Sequence, residues 1–236
     1  MVDRRDATTE RPNSRARPAY TLAETSRYLT LAPATLRSWV LGRRYPTAGG
    51  TGVFSPLIKP ASQTPVLLSF WNLVEAHVLM ALRVKHSVPL DAVRKSIEYA
   101  EQTLGVKNLL LDKGLRTDAG HIFLDHYGEL LDLSSSGQIA LRRVFAEHLK
   151  RIEWDHWQFP VRLFPIHFAT GRPNEMPPIA IDPDIAFGRP VIARAGVSTA
   201  AIASRLDAGE SAEALADDYD LTVEDIEQAA LYERAA

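Results

Sequence analysis

The 236-residue chain contains no cysteine. Disulfides, thiolate-bound metals and thiol nucleophiles are therefore excluded, and a cytoplasmic setting is the expectation. No apolar run approaches the ~20 residues that a membrane helix needs. The first residues, MVDRRDATTERPNSRARPA, lack the apolar core of a signal peptide; they are polar and Arg-rich and read as a mobile arm over residues 1–19. A Ser-centred nucleophile elbow and a pair of catalytic carboxylates are also missing. Gly49-Gly50-Thr51-Gly52 has neither the flanking strand and helix nor the Lys of a phosphate loop. No catalytic residue and no cofactor is expected.

Metal ligation is no better supported. The seven histidines are scattered, and none shows HExxH spacing. His77 and His86 are nine apart; His121 and His126, five apart on what reads as a strand and turn, would face opposite sides. Asp112, Asp118, Asp125 and Asp132 read as turn caps rather than cation ligands.

Cations are scarce at the C-terminal end and abundant at the other. Residues 179–236 hold four Arg against twelve Asp and Glu, whereas residues 1–60 hold ten Lys and Arg against four acids. Residues 61–178 carry thirteen of each sign, which leaves the net charge at −2. A phosphate backbone attracts the first end and repels the last, because counterion release needs cations at the contact surface.

At the cationic end, Thr21-Leu22-Ala23-Glu24 has the pattern of a capping box opening a short helix through Leu29. Pro33 suits the first turn of a second helix, in which Leu36, Trp39 and Val40 follow the spacing of a buried face. Two short helices about three residues apart read as a helix-turn-helix. Its exposed residues would be Thr35, Arg37 and Ser38, followed by Arg43 and Arg44, types suited to base edges and phosphates. A solvated packing module is the alternative.

Residues 45–65, rich in Gly, Pro, Ser and Thr, read as a loop or wing. Helical spacing follows through Leu73, Val74, His77, Val78, Ala81, Leu82 and Lys85, and Pro89 opens another helix with Ala92, Val93, Ile97 and Ala100. Short apolar runs punctuated by glycine over 107–133 predict a small β-meander. Gly137 to about Trp154 resumes helical spacing, residues 160–168 predict a strand, and 169–178 have linker composition. The final unit, 179–236, has an apolar Ile179-Ala180-Ile181, the loop DPDIAFGRP, a short Val191-Ile192 strand and then three helices, with Ser211 and Thr222 as N-caps. Three such helices resemble a homeodomain-like bundle. No fixed-period repeat is visible. The acidic surface of this bundle suits a basic protein, or serves solubility alone.

YTLAETSRYLTLAPATLRSWV resembles the MerR-like helix-turn-helix, and SFWNLVEAHVLMALRVKHSVPLDAVRKSIEYA is similar to that family's post-wing helix pair. The last part, with its DPDIAFGRP loop, AGES turn and TVEDI helix start, resembles the small domain of uncharacterised type found in VapB-like antitoxins of type II toxin-antitoxin systems. Together with RVFAEHLKRIEWD and PVRLFPI, the resemblance to long, VapB45-like antitoxins covers residues 20–236. The chain departs from it at Ala193-Arg194-Ala195-Gly196, where many relatives place Gly-Thr-Arg.

The resemblance implies an antitoxin that occupies the RNA site of a cognate VapC-like PIN-domain ribonuclease toxin and represses its own operon. Toxin-binding residues would be Phe187, Gly188, Arg189, Pro190, Arg194, Asp217 and Asp218, with Arg189 and Arg194 the candidates to reach the toxin's acidic metal site. The expected architecture is α+β, mainly α: the arm (1–19), a winged helix-turn-helix with a mixed central region (20–168), a linker (169–178) and a three-helix antitoxin domain (179–236). Expected partners are the toxin, operator DNA and a second copy in a homodimer or higher assembly, with no membrane. The apolar helices at 71–86 and 137–153 are the expected dimer interface. The rival is a one-component MerR-like regulator that binds a small-molecule effector through its central region.

Overall fold

In the computed structural model, Thr21 Oγ1 accepts from the Glu24 amide at 3.1 Å and the Glu24 carboxylate accepts from the Thr21 amide at 2.8 Å, closing the capping box of α1 (Leu22–Tyr28). The structure describes residues 13–47, 50–82, 90–105, 108–112, 115, 118–130, 134–157, 159–165 and 177–235. After α1 the backbone turns left-handed at Thr30 (φ 51°), and the Leu31 amide donates to Ser26 O at 2.8 Å. Pro33 then opens α2 (Pro33–Leu41), which buries Leu36, Trp39 and Val40. An antiparallel wing follows, β1 (Arg43–Thr47) against β2 (Gly50–Phe54), then a smaller hairpin, β3 (Ser62–Gln63) and β4 (Val66–Leu67).

The arm expected over 1–19 needs a new boundary. Residues 1–12 lie outside the described residues, but Arg15 pairs with Asp155 at 2.6 Å and the Ala19 amide donates to Leu68 O at 2.8 Å. Backbone pairing and an ion pair thus hold the segment from Asn13 onward against the fold.

The middle of the chain is helical. Helix α3 (Phe70–Ala81) buries Leu73, Val74, Val78 and Leu79, and also Ala76 and Ala81, so it lies inside the protomer nearly all round. Its described part is therefore spent on the chain's own core and cannot serve as the expected dimer interface. Of the helices that follow, α4 (Leu90–Leu104) and α5 (Asp118–Leu130) pack chiefly on each other, while α6 (Ser135–Leu149) packs against α3. The expected meander over 107–133 is corrected: a 3-10 turn at Leu109–Leu111 and helix α5 occupy its described residues. Its described glycines, Gly120 and Gly128, stand inside α5 and mark close approach, not turns. A Cβ on Gly120 would sit 1.9 Å from Leu115 O, and one on Gly128 would sit 3.1 Å from the Gln138 side chain. Phe123, Leu124 and Tyr127 bury one helical face, and His121 and His126 consequently lie on a helix rather than a strand. Helix α6 also stops at Leu149, earlier than the periodicity implies, because Ile152 enters a strand.

Strands β5 (Ile152–Trp154), β6 (Pro160–Leu163), β7 (Ile179–Ile181) and β8 (Pro190–Ile192) form one antiparallel sheet in sequence order. Helices α7 (Thr199–Asp207), α8 (Ala212–Tyr219) and α9 (Val223–Ala235) then close around Ile202, Leu215, Ile226 and Tyr232, a core separate from the main one. The protein is α+β and mainly α. No described helix is long and apolar enough to cross a membrane.

The pair α8–α9 repeats the build of α1–α2 at a constant offset along the chain. Ser211 caps α8 as Thr21 caps α1. Asp220 (φ 52°) is left-handed where Thr30 is, and the Leu221 amide donates to Ala216 O at 2.9 Å as Leu31 does to Ser26. Ile226, Ala229 and Ala230 are buried where Leu36, Trp39 and Val40 are. The described residues thus hold two units of helix-turn-helix build.

Candidate nucleic-acid and partner interfaces

The first unit presents a short cationic surface. On α2, Arg37 is exposed and Thr35 and Ser38 are half-buried, so Arg37 is the one cation this helix offers. Arg43 and Arg44 are exposed but stand on β1, at the base of the wing rather than at the end of the helix. As strand neighbours they project to opposite faces of the ribbon. Arg43 lies over the Phe54 ring, 5.8 Å from its centroid. The root of the wing is held from behind: Arg94 on α4 donates to Ser55 O and, at 3.5 Å, to Pro56 O. Sequence patterns name Arg94 only as one more residue on the polar face of a helix, which is why it escapes them.

The residues expected to bind the toxin fall in three places. Gly188, Arg189 and Pro190 face the chain itself. Gly188 is buried and accepts from Tyr20 Oη at 3.0 Å, and a Cβ there would lie 2.1 Å from that hydroxyl. Arg189 pairs with Glu24 and donates to Tyr28 Oη at 3.1 Å; Pro190 is buried in β8. Burial works to raise the Glu24 carboxyl, but hydrogen bonds from Thr21 and the Arg189 cation outweigh it and hold Glu24 below the ordinary range. Phe187 is the large apolar side chain of this loop that stands in solvent.

Arg194 is in the second place, donating to Asp225 at 2.6 and 3.0 Å at the start of α9. Asp225 also accepts from the Thr222 amide, and these bonds together keep its carboxyl low despite burial. Both arginines expected to reach a toxin are thus engaged with carboxylates of their own chain. The third place is α8: Asp218 pairs with Arg205 at 2.6 Å, and Arg205 also clasps Glu210. Asp217, beside it, is exposed. Glu224 and Glu227, missed from the sequence as site residues, are exposed on α9 at the positions that Ala34 and Arg37 occupy on α2. Overlaying the two caps and the two turn leucines would have found them.

The two units also touch. Tyr232 Oη donates to Tyr28 O at 3.1 Å, and Arg27 lies 3.5 Å from Glu233.

Residues 18–97 match the family described as "Putative DNA-binding HTH domain", and residues 179–232 match "Protein of unknown function (DUF433)". The chain is 31% identical over 231 residues to "Putative antitoxin VapB45" of Mycobacterium tuberculosis, covering 90% of this chain and 92% of that relative. Among solved structures, the X-ray crystal structure of Rv2018 from Mycobacterium tuberculosis matches with a TM-score of 0.64 at 25% identity, over 90% of this chain and 97% of the other.

Proposed function

The chain belongs to the VapB45-like antitoxin family, and from that premise we propose that it neutralises a VapC-like PIN-domain ribonuclease and, through its N-terminal helix-turn-helix, binds the operator of its own genes. It acts in the cytoplasm as a non-enzymatic homodimer or higher assembly. One observation carries the reading: two units of the same build differ in charge at matching positions, both cations of the first being acids in the second and two of its neutral positions being acidic there. Arg27, Ala34, Thr35 and Arg37 of the first stand where Asp217, Glu224, Asp225 and Glu227 stand in the second. A reader that has exchanged its cations for acids no longer suits phosphate and suits instead the basic surface with which a ribonuclease holds its substrate. The rival small-molecule reading rests on the central region, where α5 and α6 close on Phe123, Tyr127 and Phe145.

The test is co-purification with the product of the adjacent gene, followed by two variants. Asp217→Lys is preferred to a change at Asp218, whose loss would also release Arg205. Its effect on toxin binding should fall on the association rate and on salt sensitivity, and unchanged kinetics would overturn the toxin assignment. Arg37→Ala should weaken operator binding and flatten its salt slope by about one unit for one lost phosphate contact. An unaltered operator complex would remove α2 from the DNA contact.

A further inference from the structure

Phe187 is 93% exposed, the most exposed large apolar side chain among the described residues. Its backbone is left-handed (φ 55°, ψ 32°), between Ala186 at φ 46° and Gly188 at φ 76°. A side chain in this region costs about 1 kcal/mol or more, and an aromatic that buries nothing in its own chain returns none of it to folding. The loop is nonetheless rigidly made. Asp182 accepts from the amides of Asp184 (2.9 Å) and Ile185 (3.1 Å) and is itself fixed by Arg162 at 2.9 Å. From inside, Tyr20 and Glu24 hold Gly188 and Arg189. A strained, braced aromatic aimed at solvent is a preorganised anchor.

Directly beside it lies an open cleft of about 530 Å³, walled by Phe187, Ala186, Pro183, Asn13, Arg15 and Arg17. The Arg15–Asp155 pair ties this wall to the β5–β6 turn, whose Trp157 is 71% exposed. Aromatic and arginine side chains around a pocket are the composition of protein–protein hot spots. The charges balance: Arg15 and Arg17 stand against Asp155 and Asp184, so the face lacks the net cation that a nucleic acid requires. A knob and a hole side by side on one face, with both signs of charge at the rim, are complementary to their own two-fold image. The cleft wall from Asn13 to Arg17 leads within a few residues to Thr21, which caps the first helix of the helix-turn-helix, and Gly188 beside Phe187 is held by Tyr20. A two-fold contact here sets two readers side by side, as a two-fold operator demands.

We infer that this face is the dimer interface, with Phe187 of each copy seated in the cleft between the N-terminal segment and the 183–187 loop of the other. The inference rests on the proposed function only for the existence of a dimer. Sedimentation of the full chain, without toxin or DNA, tests it. The wild type should run at twice the 26.2 kDa of one chain, and Phe187→Glu should raise the dimer dissociation constant at least about 30-fold. Far-UV circular dichroism of the variant should be unchanged, since the side chain lies outside both cores. The chain has no cysteine, so a mixture of Phe187→Cys and Arg17→Cys proteins should form a disulfide-linked dimer only across copies. A monomeric wild type would overturn both the inference and the dimer on which it rests. A dimer unaffected by Phe187→Glu would overturn the inference alone. So would a Phe187→Glu dimer that loses operator or ribonuclease binding, since Phe187 would then belong to that contact.

Discussion

Replacing Glu75 by Gln should steepen the pH dependence of stability, by an amount the surroundings fix. Burial in the face of α3 pushes the Glu75 carboxyl from 4.5 up to about 7, against the pull of the Asn72 amide 2.8 Å away. A raised carboxyl keeps its proton in the folded chain where the unfolded chain has released it, so stability falls as pH rises from 4.5 through about 7. At about 1.4 kcal/mol per unit, the loss across the window is on the order of 3 kcal/mol. His77 works the other way. It is fully buried with Nε2 3.0 Å from His148 O, and desolvation takes it down to about 3, so stability is lost as pH falls below 6.5. Between pH 4.5 and 6.5 the two slopes oppose and largely cancel, leaving the smaller share of His148, which burial also lowers. Glu75→Gln keeps the amide contact and removes one side of the balance. Urea unfolding followed by tryptophan fluorescence at pH 5, 6 and 7.5 should show the variant gaining about 1.4 kcal/mol per unit over wild type, reaching about 2–3 kcal/mol at the top. Parallel profiles for the two proteins would refute the buried-carboxyl argument.

Arg94→Ala should lower operator affinity while leaving its salt slope unchanged, because Arg94 holds the Ser55 and Pro56 carbonyls rather than a phosphate; a flatter slope, measured by anisotropy across salt, would make Arg94 a direct contact. Gly188→Ala should destabilise the chain by about 2–3 kcal/mol, from a left-handed residue gaining a Cβ and from its clash with Tyr20 Oη at 2.1 Å; a midpoint in urea equal to that of wild type would show that the loop relaxes freely.

Much of the first unit was legible because its signals are local. The Thr21–Glu24 box, Pro33 at the start of α2 and the Leu36–Trp39–Val40 stripe are each decided within one or two turns. The β-meander failed for a physical reason: Gly120 and Gly128 signal turns in sequence, yet both stand inside a helix, where a Cβ on Gly120 would clash with Leu115 O and one on Gly128 would crowd the Gln138 side chain. The kinship of the two units was hidden because the matching core positions differ in volume, Trp39 and Val40 against Ala229 and Ala230, while the exposed positions differ in sign. The roles of Arg189 and Arg194 were not legible at all. Arg189 meets Glu24 across 165 residues, and Arg194 meets Asp225 across 31, pairings that only the folded chain brings about.

These pairings bear on the proposal that one short protein serves two unlike partners. The units are joined through their backs: Tyr28 and Arg27 on α1 meet Tyr232 and Glu233 at the end of α9, and the Gly188–Arg189 loop grips Tyr20 and Glu24. Glu233 also accepts from Thr199 Oγ1, so α7 is drawn into the same joint. Arg27 is itself one of the inverted positions, matching Asp217, and is engaged by Glu233, whereas Arg37 and Glu227 lie outside the joint and are exposed. Apart from Arg27, the contacts that fix the two units against each other therefore leave the exposed charges of the two faces, Arg37 and Glu227, unused. Occupying the acidic face does not require the cationic face to open, and a complex of DNA, this chain and a basic protein needs no rearrangement of the joint. If that is right, Tyr232→Phe, which deletes one hydroxyl from the joint, should cost about 1 kcal/mol of stability and leave both binding reactions intact. A loss of operator affinity in Tyr232→Phe at equal folded fraction would show instead that the joint sets the angle of α2, and that the two faces are not independent.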